Sequence, residues 1–305
     1  MPGCLRLLFF NICGTSDPRN PHIHDTICAV FSGVSNHPPA LEERSIAVIV
    51  NILIFMLSIV PSVFIFLWLR NRHRDDPLYI KSCNSAFIRG LVCVLPILAL
   101  SGVLFLINGL LRVFLLQNAQ LLYKAIYNFV VLAFAEELVK FTAFRLLLKK
   151  KLCAYSRADV VALMVIIGTA FGLIEDIPYA IGADAITMLV RGFTMGHVGY
   201  GFLTGWFYSK MLYTGKKRYG VTAFVFPWLL HGLYDFSLSR ELLELNDNLA
   251  IVAVALALAD IVLLVLMFRF FLRARKKDIY NTPVTEAADA VPASETVCPG
   301  ADGAD

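Results

Sequence analysis

Between residues 46 and 272 the sequence returns seven times to a mostly apolar stretch long enough to cross a bilayer: 46–69, 86–111, 121–148, 158–182, 186–213, 221–239 and 249–272. A helix needs about 20 such residues to span the hydrocarbon of a membrane. Lipid offers the backbone no hydrogen-bond partners, so a stretch of this kind crosses as a helix. Composition agrees: 58% of the residues are hydrophobic and 16% charged, with a mean hydropathy of +0.70. A soluble domain of this size would need far more charge to cover its surface. The expected fold is all-α, a polytopic transmembrane helix bundle of about seven spans.

No Gly- or Pro-rich linker divides the spans, so they read as one membrane domain over 46–277. Residues 1–45 read as an extramembrane N-terminal arm. The tail over 278–305 has acidic residues, no Lys or Arg, and much Ala, Pro and Thr, the composition of a disordered segment. Basic residues set the expected orientation. Arg70, Arg72, Arg74 and Lys81 follow the first span; Lys149, Lys150, Lys151 and Arg157 follow the third. Lys216, Lys217 and Arg218 follow the fifth, and Arg273, Arg275, Lys276 and Lys277 the seventh. These loops alternate with poorly basic ones, so all fall on one side. The N-terminus is then extracytoplasmic or lumenal and the C-terminus cytosolic. The lipid bilayer is the expected surrounding, and the small net charge of +4 gives no reason to expect a nucleic-acid partner. The seven cysteines form no C-x-x-C pair, which argues against a zinc-thiolate site.

Ionisable residues inside four consecutive spans carry the chemistry. The third span holds Glu136, Glu137 and Lys140, and the fourth Glu175 and Asp176; the fifth holds His197, and the sixth His231 and Asp235. Each costs roughly 2.5–3.5 kcal/mol on insertion scales unless paired or hydrated. Counted from the basic loops at about 1.5 Å per residue, they fall in one layer, roughly 20 Å or more from the cytosolic side. Singly, each has a structural reading: a buried ion pair for Glu136 with Lys140, four apart on one helix face, an interhelical hydrogen bond for a histidine, a local contact for His231 and Asp235. Together they call for a shared polar cavity. Gly201, four after His197, is expected to leave room beside the imidazole, and Pro227 to free a backbone carbonyl near His231.

The residues EELVK at 136–140, FGLIED at 171–176, HVGYG at 197–201 and HGLYD at 231–235 resemble, in order, E-E-x-x-K, F-x-x-x-E, H-x-x-x-G and H-x-x-x-D. In this succession they resemble the PrsW family of intramembrane proteases, part of a wider group that includes the CAAX-type prenyl proteases. Asp176 departs from the pattern, which has Asn there. The resemblance implies an intramembrane endopeptidase that hydrolyses peptide bonds of membrane protein or peptide substrates. It assigns the catalytic role to Glu136, Glu137, Glu175, His197, His231 and Asp235. Glu136 is then the general base, with Glu137 hydrogen-bonding the site or a neighbouring helix. Two mechanisms stay open: a glutamate-only one, and one with Zn2+ held by Glu175, His197 and His231. Two other classes fit the same residues, a proton- or ion-coupled transporter or channel and an inactive scaffold that binds membrane clients.

Overall fold

The computed structural model describes residues 41–114, 119–149, 155–182, 185–238 and 248–275. The arm expected over 1–45 lies outside the described residues except where the first helix begins, and the tail over 278–305 lies wholly outside them. Among the described residues the chain is helical, with no strand. The elements are α1 (Leu41–Arg70), a 3-10 turn (Asn71–His73), α2 (Pro77–Val92), α3 (Val94–Phe114), α4 (Gln120–Ile126) and a π-helix (Tyr127–Phe134). They continue with α5 (Ala135–Leu148), α6 (Arg157–Gly182), α7 (Ala185–Thr194), α8 (Gly196–Thr214), α9 (Lys217–Ser237) and α10 (Asn248–Ala274).

Among the described residues, four helical segments are long and apolar enough to cross a membrane: Ile52–His73, Pro77–Phe114, Arg157–Ile177 and Ala250–Ala274. The second is longer than the expected 86–111, because Pro77 starts α2 early and the Asp76 carboxylate caps it, accepting from the Leu78 and Tyr79 N–H groups. The expected spans at 121–148, 186–213 and 221–239 are not among the four. The first of them is divided into α4, the π-helix and α5, and the second breaks between α7 and α8. All three carry the charged residues of the site, which lower their hydropathy. Three of the four leave large apolar side chains uncovered on their outer faces, including Leu53 on α1, Leu106 on α3 and Ile251 on α10, whereas Arg157–Ile177 is mostly buried. An exposed apolar belt of this kind is what a lipid-facing surface presents.

The core is organised around α6, in which every residue from Val160 to Ile167 is buried. Neighbouring helices approach it closely through glycine. A Cβ at Gly168 would stand 2.2 Å from the His197 carbonyl oxygen, and one at Gly201 would stand 2.9 Å from the Met164 carbonyl oxygen. Small residues let helix backbones touch in this way. Here they press the first turns of α8 against the middle of α6. Gly201 therefore faces the α6 backbone rather than the imidazole; the glycine beside His197 is Gly172, whose Cβ would meet the ring Cδ2 at 3.6 Å.

The start of α6 is fixed by a reciprocal cap. The Asp159 N–H donates to Ser156 Oγ (3.2 Å) and the Ser156 N–H donates to Asp159 Oδ2 (3.0 Å). The other Asp159 oxygen faces His73 Nε2 at 3.3 Å. Next to this cap the Tyr155 and Ser82 hydroxyls lie 2.5 Å apart, and the Tyr79 hydroxyl donates to the Leu69 carbonyl (2.9 Å).

Candidate active site

Two departures from regular helix aim the functional side chains. The first is the π-helix that runs into Glu136 and Glu137. Such turns carry a wider hydrogen-bond register and recur at functional sites. Its carbonyls receive extra donors: Trp228 Nε1–H donates to Phe129 O (2.6 Å) and the Ser101 hydroxyl to Val131 O (3.0 Å). Gly232 packs so closely on the Phe129 ring that a Cβ would lie 2.5 Å from it. Together these contacts seat α9, and so His231, against the start of α5. The second departure is Met195, a non-glycine residue at φ 49°, ψ 47°. This left-handed residue separates α7 from α8, and non-glycine residues hold it only where the surroundings impose it. α8 therefore begins in the interior, with His197 in its first turn.

Lys140, buried on α5, gathers the site. Its ammonium stands 2.6 Å from Glu137 Oε1, 3.8 Å from Glu136 Oε2 and 3.1 Å from His197 Nδ1. The expected partner of Lys140 was Glu136; the shorter contact goes to Glu137, one residue on. An ammonium only donates, so His197 Nδ1 accepts and the ring proton sits on Nε2. That Nε2–H donates to Glu175 Oε2 in a short hydrogen bond. Arg191 of α7 clamps Glu175 and Asp176 with contacts of 3.0 and 3.2 Å. His231 Nδ1 donates to Glu137 Oε1 (3.0 Å), while its Nε2 faces Glu136 Oε2 at 3.8 Å and Asp235 Oδ2 at 3.4 Å. The two imidazoles meet at right angles, 5.2 Å between centroids, and Tyr200 stacks on His231 at 5.0 Å.

The two adjacent glutamates are thus unlike. Glu137 accepts from both Lys140 and His231. Glu136 Oε2 is buried and has no hydrogen-bond partner. A buried carboxylate oxygen without a donor costs free energy unless something else fills its place. Glu136, His197 and His231 each present one donor atom within 4.8 Å of the others. This differs by one member from the expected metal set, because Glu175 turns to His197 and Arg191. Two of the three fit a metal as they stand, because the orphaned Glu136 oxygen and the His231 Nε2 lone pair face each other at 3.8 Å. The His197 Nδ1 lone pair is taken by the Lys140 ammonium and joins them only when that contact is released. Glu137 holds the far side of the His231 ring, as partners of metal-bound imidazoles do.

Sequence reasoning missed two members of this region. Arg191 lies six residues before His197 on the amphipathic helix α7. Asp260 is the one acidic residue in the apolar run of α10, is buried and lines the same cavity as Glu175, His197, His231 and Asp235. A lone carboxylate in such a run was signal enough to mark it.

A helical bundle with membrane-length apolar segments and a buried Glu–Lys–His cluster defines an intramembrane protein with a hydrolase-like site. Residues 84–268 match the family described as PrsW family intramembrane metalloprotease, which is more than half of the chain. The chain belongs to that family and is an integral membrane protein. It is similar to the protein named Protease PrsW from Clostridioides difficile (strain 630), at 26% identity over 200 residues that cover 62% of this chain and 80% of that protein. No solved structure matches the chain.

Proposed function

We propose that this chain is an endopeptidase that cuts membrane protein or peptide substrates within the bilayer, with Glu136 as the general base. The observation that carries the reading is the contrast between the glutamates: Glu137 is engaged by Lys140 and His231, while Glu136 Oε2 has no hydrogen-bond partner. Glu136 takes a proton from the attacking water, whose oxygen bonds to the scissile carbonyl carbon. As the C–N bond breaks, Glu136 returns that proton to the leaving nitrogen. Glu137 holds His231 in one tautomer. Glu175, braced by Arg191, holds His197, and Asp235 stands beside His231. Glu136 Oε2, His231 Nε2 and, once Lys140 leaves it, His197 Nδ1 would hold Zn2+, an ion suited to mixed imidazole and carboxylate donors; the other Glu136 oxygen would then take the proton. When bound it would acidify water and polarise the carbonyl.

Seven crossings, an outside N-terminus and a cytosolic C-terminus remain part of this reading, supported by the alternation of basic loops. So does the division into an arm over 1–45, a protease domain over 46–277 and a cytosolic tail over 278–305. The test uses the purified full chain in lipid nanodiscs with a transmembrane peptide substrate. Glu136→Gln is expected to lower cleavage at least about a thousandfold, on the scale of losing a general base and its charge, with an unchanged melting profile. Metal analysis of the same sample should find stoichiometric zinc in the wild type and less in His231→Ala. Cleavage that survives Glu136→Gln on folded protein defeats the proposal.

A further inference from the structure

The cavity beside the histidines is lined by four carboxylates, those of Glu175, Asp176, Asp235 and Asp260. Three have cationic or imidazole neighbours: Arg191 faces Glu175 and Asp176, and His231 faces Asp235. Asp260 differs. It is 4% exposed, and its Oδ2 has no hydrogen-bond partner. Among the described residues no Lys, Arg or His forms an ion pair with it.

Its surroundings are shaped for a carboxylate that serves something else. Gly196 and Gly199, in the first turn of α8, leave the space it occupies: a Cβ at Gly196 would meet Asp260 Oδ2 at 3.2 Å, and one at Gly199 would meet Oδ1 at 3.9 Å. The positive end of the α8 dipole lies there and eases the burial of an anion. It does not supply the missing donor to Oδ2. Tyr200 connects this corner to the reacting centre. Its hydroxyl comes within 3.5 Å of the same Gly196 Cβ position, and its ring stacks on His231. Tyr234 lines the cavity as well. A buried carboxylate, aromatic walls and an adjacent hydrolytic centre match one kind of guest. It is a basic side chain whose stem lies along the rings and whose charged head meets the acid.

We infer that Asp260 is the floor of a substrate subsite, next to the reacting centre, that takes a lysine or arginine side chain of the transmembrane segment being cut. The inference deepens the protease reading and rests on it. In an apolar substrate a lone basic residue is costly in lipid. Pairing it with Asp260 relieves both charges and fixes which peptide bond lies over Glu136.

The experiment measures binding, so it does not depend on turnover. The full-length Glu136→Gln protein in nanodiscs is titrated with Leu/Ala peptides of about 23 residues. Each peptide carries one lysine, norleucine or glutamate, scanned through the central positions. In one register lysine should bind about tenfold tighter than norleucine, and glutamate weaker than both. Adding Asp260→Asn should bring the lysine-to-norleucine ratio within about twofold, and adding Asp260→Glu should keep it. A carboxylate that served only to steady α8 would change the melting temperature and leave that ratio alone. Equal binding of lysine and norleucine in every register overturns the inference, as does a lysine preference that survives Asp260→Asn. Glu136-dependent cleavage without lysine preference removes the subsite and leaves the protease. An Asp260-dependent preference in a chain that cuts nothing removes the protease and leaves the subsite.

Discussion

Helix α6 carries a carboxylate near each end, Asp159 buried and Glu175 half-buried, and the two are used in opposite ways. Asp159, in the first turn, closes on its own neighbourhood. Its partners are the Ser156 backbone and hydroxyl three residues away, and His73 just beyond α1. Glu175, sixteen residues on, has partners brought from elsewhere in the chain: Arg191 from α7 and His197 from α8. Around it, Glu136 and Asp260 each keep an oxygen without a hydrogen-bond partner; Asp159 Oδ1 also lacks one, but faces His73 at 3.3 Å, closer than any ion-pair partner of those two oxygens. The first cluster ends a helix and can form as soon as that helix does. The second exists only when five helices are packed. A polar cluster assembled at that distance, with unfilled oxygens, is costly as structure alone, and its cost is explained by what it binds.

The sharpest way to break this comparison is to separate the ends of α6. Gly168 lies between them, and the His197 carbonyl occupies the place a side chain there would take. Gly168→Ala puts a methyl 2.2 Å from that oxygen. The contact is with backbone, so α8 must move. A displacement near 1 Å at the reacting groups costs on the order of a hundredfold in rate. Cleavage assays on the folded fraction should show a loss of that size, while His73 and Ser156 stay in place. Near-normal cleavage would mean that α8 tolerates the shift and that the close approach does not position His197.

A smaller effect is expected from Glu137→Gln. The amide keeps the shape and an acceptor for His231 but removes the charge that faces Lys140 at 2.6 Å. Partners of this kind change metal affinity or activity by about 10- to 100-fold. Titration with zinc and cleavage rates should both fall within that range, well short of the loss in Glu136→Gln. If Glu137→Gln is the more damaging of the two, the base belongs at Glu137.

Much of this was legible before folding because lipid makes ionisable side chains conspicuous. Glu136, Glu175, His197 and His231 stand out of their apolar runs, and the structure gathers them. What was not legible depends on local backbone geometry. No residue type in 127–134 demands a π-helix, yet that segment leads straight into the helix that carries both glutamates and seats it against α9. Nothing in the sequence around Met195 requires a left-handed methionine, yet it ends one helix and begins another at His197. Arg191 and Asp260 were visible in the apolar runs but lay outside the recognised motifs. Three of the seven expected spans escape a test of length and hydropathy for a related reason: the stretches at 121–148, 186–213 and 221–239 carry much of the site and are less apolar or more broken, so four segments pass among the described residues.

The smallest effect belongs to the other end of α6. Asp159→Ala removes half of the reciprocal cap with Ser156 and the contact to His73. Losses of such caps cost about 0.5–2 kcal/mol, typically about 1. Neither Ser156 nor His73 touches Glu136, His197 or His231 in any contact described above. Thermal denaturation in nanodiscs should therefore show a lower midpoint, while kcat and zinc content of the folded protein stay at wild-type values. Restoring the acceptor with Asp159→Asn should recover part of the stability, because the amide oxygen can still accept from the Ser156 N–H. A fall in kcat as large as that of Glu137→Gln would mean that the two ends of α6 are coupled through the helix. The cap would then set the position of Glu175, and the separation between a folding cluster and a working one would no longer hold.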